Sequence, residues 1–84
     1  MRLDESKIAE TVLDDEVVLL NLETSRYMFV NAVGAGLLAE LRAGLDQDAM
    51  VASIVNRYAL DCGTAKADVA AFVQQLRDEA LLIE

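Results

Sequence analysis

Residues 16–31 read EVVLLNLETSRYMFVN, and this stretch decides the fold. Two apolar runs, VVLLNL (17–22) and RYMFV (26–30), flank the polar step Glu23-Thr24-Ser25. β-Prone runs separated by a few turn-tolerant residues predict a hairpin. Side chains alternate along a strand, so Tyr27 and Phe29 share one face while Met28 and Val30 share the other. Val17–Leu22 is apolar on both faces, which predicts a central strand with cover on each side. Its second neighbour is a weaker strand, Ile8–Leu13, reached through a polar turn at Asp14-Asp15-Glu16. The result is a three-stranded antiparallel meander in which one edge of Arg26–Val30 is left over. Later in the chain only Leu81-Leu82-Ile83 has any strand character to fill it. Free edges are normally guarded by Lys, Pro or a bulge, and Tyr27–Val30 carries no such guard. The vacancy predicts a docking edge for an extended peptide.

Everything after the hairpin is helical in pattern. Asn31 is a good N-cap for a first helix, Ala32–Arg42, with an apolar stripe of Val33, Leu37, Leu38 and Leu41. The Gly34 and Gly36 pair lacks the Lys-Ser/Thr of a phosphate loop and the later glycine of a dinucleotide fingerprint. Gly44 closes this helix. Asp46 caps a second, with Leu45 and Met50 placed as a hydrophobic staple and a stripe of Met50, Val51, Ile54, Val55 and Tyr58. Asp61-Cys62-Gly63 breaks it, and Thr64 is the predicted cap of a third, whose stripe is Val69, Phe72, Val73, Leu76 and Ala80. Three strands followed by three helices make an α+β fold.

Size and composition bound the function. Eighty-four residues predict one domain, 1–84, and the 55% hydrophobic content is globular rather than disordered. No apolar run approaches the roughly 20 residues needed to cross a bilayer. The N-terminus, MRLDESKIAE, has no apolar signal-peptide core, so a cytoplasmic location is expected. With one cysteine, Cys62, and no histidine, the chain has no zinc-type ligand set and no imidazole base. The expectation is a protein that is not an enzyme and holds no metal or other cofactor. Fifteen acidic against seven basic residues give a net charge of −8. That balance argues against nucleic acid and against an anionic membrane, both of which call for clustered Lys and Arg.

The residues also carry a family resemblance. VVLLNLETSRYMFVNAVGAGLLAEL and IVNRYALDCGTAKADVAAFVQQLRDEALL resemble the PqqD-like family, the RiPP recognition elements of ribosomal-peptide maturation. The shared marks are the hairpin ending in Asn31, the Leu37-Leu38 pair, Tyr58 before an Asp-containing break, and Asp68-Val69 with Phe72 and Leu76. The resemblance spans Val17 to Ile83 and implies a winged-helix-like layout. It also implies binding of a precursor's leader peptide, added beside the third strand and settled against the last helix. A free-standing chain of this size is similar to the discrete B-type proteins of lasso-peptide clusters, whose partner would be a separate leader peptidase. A PqqD-like peptide chaperone serving a radical enzyme is the alternative within the family. The family often has glycine where this chain has Ser25 and Ala80, so a different hairpin turn and a less sharp end to the last helix are expected.

The site that follows has a strand side, Arg26, Tyr27, Met28, Phe29 and Val30, and a helix side, Asp68, Val69, Phe72, Val73, Leu76 and Arg77. Tyr27 and Phe29 are candidate anchors, Met28 an adaptable filler, and Asp68 and Arg77 can pair with charges on the peptide. Val69, Phe72 and Leu76 also sit at core spacing, so core and groove compete as readings for each. Two other classes share the layout. A nucleic-acid-binding winged helix would need a basic recognition helix, yet the last two helices carry only Arg57, Lys66 and Arg77. A homodimer pairing two free edges would hide the groove.

Overall fold

The hairpin forms, and it sits in a three-stranded antiparallel sheet with its first strand in the centre. In the computed structural model, which describes residues 1–14 and 16–84, the chain opens with β1 (Arg2–Leu3) and a 3-10 turn (Glu5–Lys7). It continues through β2 (Ile8–Leu13), β3 (Glu16–Asn21), β4 (Tyr27–Val30), α1 (Ala32–Arg42), α2 (Gln47–Tyr58), α3 (Cys62–Asp78) and β5 (Leu82–Ile83). This is the expected three-stranded antiparallel sheet followed by three helices. Of the acidic turn before β3, Asp15 lies outside the described residues.

Pairing follows the alternation of the sequence. Val17 lies opposite Val30 and Leu19 opposite Met28, and these four residues face the helices as part of the core. Leu19, Leu37, Leu38, Leu41, Met50, Ile54, Val69, Val73, Leu76 and Leu81 are fully buried together. Burying a side chain of this size contributes about 1.5–3 kcal/mol relative to leaving it exposed. The expectation of cover on both faces of β3 is corrected. Val18 and Leu20 lie on the outer face beside Ala9, Thr11, Tyr27 and Phe29, which are exposed. Val18 is buried there by its strand neighbours, Thr11 and Phe29, rather than by a helix. The strand also ends one residue early, since Asn21 turns inward and Leu22 is exposed.

Caps set the helices. Asn31 accepts from the Gly34 N–H at 2.9 Å and Asp46 from the Ala49 N–H at 2.8 Å, as expected. The cap of α3 is Asp61 rather than Thr64. Its Oδ1 accepts from the Thr64 N–H at 2.8 Å, while the Thr64 hydroxyl donates to Oδ2 at 2.7 Å. Hydrogen bonding to its charged form holds the Asp61 carboxyl below its ordinary value. Cys62, exposed, is the first residue of α3 instead of part of a loop.

The C-terminus of α3 overturns the expectation of a ragged end. The Ala80 N–H donates to Arg77 O at 3.0 Å and the Leu81 N–H to Leu76 O at 2.9 Å, which is the Schellman pattern. Ala80 reaches the required left-handed conformation at φ 56° although it is not glycine, and Ser25 does the same in the hairpin at φ 61°. Both positions hold a geometry that glycine would favour, without the glycine. The tail does not fill the open edge of the sheet. Leu82 and Ile83 pair with Leu3 and Arg2 in a separate ribbon, a partner that two residues at the chain start give no pattern to predict.

Candidate functional site

Hydrogen-bond parity fixes which groups of β4 are free. The Asn21 N–H donates to Arg26 O at 2.8 Å, so even-numbered residues of this strand turn their backbone groups toward β3. The N–H and C=O groups of Tyr27 and Phe29 therefore point away from the sheet, along an edge that no described strand occupies. Their side chains project from the outer face, 65% and 70% exposed, while Met28 and Val30 turn into the core at 6% and 4%.

Beside this edge lies a pocket of about 310 Å³, enclosed by β4, the start of α1 and one face of α3. Met28, Phe29, Val30 and Asn31 supply the strand side, and Asp68, Ala71, Phe72 and Gln75 the helix side. The spacing of the last four follows one row of helical turns. Gly34 sets the closeness of the walls. A Cβ built on it would stand 2.6 Å from Val30 Cγ1, where it would clash, and 3.6 Å from Phe72, an ordinary contact. A helix and a free strand edge facing each other across a partly apolar trough can take an extended backbone on one side and its side chains on the other.

The far end of the trough is tied. Arg26 meets Glu79 at 3.3 Å, joining the start of β4 to the end of α3. Asn21 donates from Nδ2 to the Glu79 backbone carbonyl at 2.9 Å, and its Oδ1 accepts from the N–H groups of Glu23 and Thr24. It is the buried polar residue of the described chain, at 3% exposure, and each of its amide atoms is used.

Comparison with known proteins now bears on this geometry. The model of the family described as coenzyme PQQ synthesis protein D (PqqD) matches residues 16–82. The chain belongs to the PqqD family. Among solved structures, TbiB1 in complex with the TbiA(β) leader peptide superposes with a TM-score of 0.86 and 32% sequence identity, covering 98% of this chain and 94% of that one. A lasso peptide synthetase B1 complexed with its leader peptide shares the fold, with a TM-score of 0.85, 23% identity, and coverage of 99% and 96%. No curated protein matches the sequence.

Within this PqqD-family chain the proposed residues separate into three groups. Met28, Phe29, Val30, Asp68 and Phe72 line the pocket. Val69, Val73 and Leu76 are buried in the core cluster and do not line the pocket. Tyr27, Arg26 and Arg77 lie outside the pocket lining, on the outer face, at the tied end and in a pair with Glu84. Hydrogen bonds from Arg77 hold the Glu84 carboxyl below its ordinary value and raise the guanidinium's own. Asn31, Val33, Gly34, Leu37, Ala71 and Gln75 complete the lining and were not predicted. Gly34 carried a usable signal, since a glycine in the first turn of a helix weakens it unless something must come close. Among the described residues no helix is long and apolar enough to cross a membrane, and no acidic or cysteine cluster could hold a metal.

Proposed function

We propose that this chain binds the leader segment of a ribosomally made precursor peptide as a fourth strand along β4 and delivers it to a maturation enzyme, in the manner of lasso-peptide systems. One observation carries the reading: Tyr27 and Phe29 present unpaired backbone groups at the rim of a partly apolar trough. The added strand would hydrogen-bond to those groups, and its alternate side chains would enter between Phe29, Val30, Phe72 and Gln75. Two proteins of this shape are known in complex with leader peptides, which supports a leader peptide as the ligand. A segment of this kind is disordered when free, so ordering it costs about 2–5 kcal/mol of the contact energy.

The chain acts as a binding protein of the cytoplasm, where precursors are made, and the chemistry belongs to the enzyme that receives the cargo. A leader peptidase is the enzyme we assign, ahead of a radical enzyme. The outer sheet face away from the β4 edge, where Thr11 and Leu13 are exposed, is left free by a peptide on that edge and is the surface available to that enzyme. Nucleic acid is a poor fit, since Arg57 and Arg77 are committed to Glu40 and Glu84.

The test is a titration of isotope-labelled protein with the leader encoded by the precursor gene beside its own. Amide shifts are expected at Tyr27, Phe29, Asp68, Phe72 and Gln75. Binding that leaves these five unmoved would sink the site. Light scattering with and without peptide separates this mode from a homodimer paired through the same edges.

A further inference from the structure

The charged groups around the trough are unequal in their attachments. Arg26 is held by Glu79 and Arg77 by Glu84, at 3.3 and 2.6 Å. Asp68 is the one ionisable residue in the pocket lining, and among the described residues neither a cation nor a hydrogen-bond donor engages its carboxylate. It does no local work for its helix either. Asp61 already caps α3, and Asp68 lies beyond the first turn, where a carboxylate would gain from the helix dipole. Aspartate in a helix interior is among the weaker helix formers. Its neighbours across the trough are apolar apart from Asn31, whose Oδ1 accepts from the Gly34 N–H and whose amide nitrogen, among the described residues, makes no hydrogen bond to the Asp68 carboxylate.

We propose that Asp68 makes the groove selective for a Lys or Arg on the bound peptide. This rests on the peptide-binding reading above and names the chemistry of the segment bound. The position follows from the packing. Gly34 touches the space of both Val30 and Phe72, while Glu79 reaches Arg26, so the row from Asp68 to Glu79 runs antiparallel to β4. Asp68 therefore stands at the Val30 end. Inward-facing side chains of an added strand recur at every second residue. The cation occupies the inward position beside Val30, and the next inward residue, toward Met28, is apolar. A charge-assisted contact in a partly apolar trough is stronger than the same pair in open water.

A displayed library of short random peptides, selected separately on the wild-type protein, Asp68→Asn and Asp68→Lys, tests this. Asp68 is exposed and Asn keeps its size, so folding is not at issue. The wild type should enrich peptides with Lys or Arg two residues from a bulky apolar residue. Asp68→Asn should keep the apolar preference and lose the basic one, and Asp68→Lys should turn it acidic. The best wild-type peptide should bind Asp68→Asn about five- to tenfold more weakly at low salt, with the gap narrowing at high salt. Apolar peptides enriched alike by all three proteins, with no charge preference, would overturn the assignment and leave the groove standing. If no enriched peptide shifts the amides of Tyr27 and Phe29, the peptide-binding reading fails and takes this one with it.

Discussion

Arg26 and Glu79 meet at 3.3 Å where β4 begins and α3 ends, and Asn21 grips the same glutamate from the sheet side. The trough is thus tied at one end by polar contacts, while its Val30 end is held by Gly34 and Phe72 packing alone.

Asn21 matters more to stability than Arg26. Asn21→Ala leaves the Glu79 carbonyl and the N–H groups of Glu23 and Thr24 without their partner, and should cost about 2–3 kcal/mol in urea unfolding. Arg26→Ala removes an exposed ion pair and should cost less than about 1 kcal/mol.

The two helix-start glycines should respond in opposite directions to alanine. Gly34→Ala drives a methyl group against the branched, buried Val30 and should destabilise by about 1–3 kcal/mol. It should also weaken peptide binding by narrowing the trough. Gly36→Ala meets only Arg57 Nη1, at the end of a flexible side chain that must shift while its Nη2 holds Glu40, so the gain in helix propensity should appear as about 0.5 kcal/mol or less of added stability. Thermal unfolding of both variants makes the comparison.

Replacing Ala80 or Ser25 by glycine should stabilise the fold by about 0.5–1 kcal/mol each. Both hold left-handed backbone angles that cost an L-residue about 1–2 kcal/mol, offset in part by the greater freedom glycine has when unfolded. Denaturant midpoints should rise with unchanged slopes.

Acid should unfold the protein in a single descending limb. Asp4, Asp61 and Glu84 are held below their ordinary carboxyl values, chiefly by hydrogen bonds from Ser6, Thr64 and Arg77. A depressed folded-state value means stability present above the unfolded value, and lost as pH falls through the folded one. Melting temperature should therefore decline below about pH 4. With no histidine in the chain, no imidazole step should appear near neutrality. Asp61→Asn keeps the cap and should flatten part of the acid slope.

Phe29→Ala should separate binding from folding. The ring is 70% exposed but covers Val18 across the strand pair, so stability should fall by only about 0.2–1 kcal/mol, while leader affinity measured by calorimetry should fall about tenfold or more.

The order of elements, the faces of β4 and the open edge were all legible before any coordinates. They depend on period-two alternation and on caps such as Asn31 and Asp46, which act over a few residues. Less legible was what depends on distant partners. Asn21 reads as an ordinary strand residue until Glu79, 58 positions away, comes beside it. Leu82 and Ile83 have no visible partner until the chain ends meet. Val69 and Phe72 share one stripe and both join the core, yet only Phe72 also reaches the wall of the trough. Ala80 shows a local rule overridden, since the buried Leu76 and Leu81 hold the turn that glycine would favour.

The bare edge of β4 also governs how the protein keeps in solution. Backbone groups there accept any extended chain, a second copy's β4 included, because pairing along an edge does not read side chains. In the proposed binding mode, discrimination is left to the trough. A leader added along β4 would supply the guard that Tyr-Met-Phe-Val lacks, so occupancy and solubility should rise together.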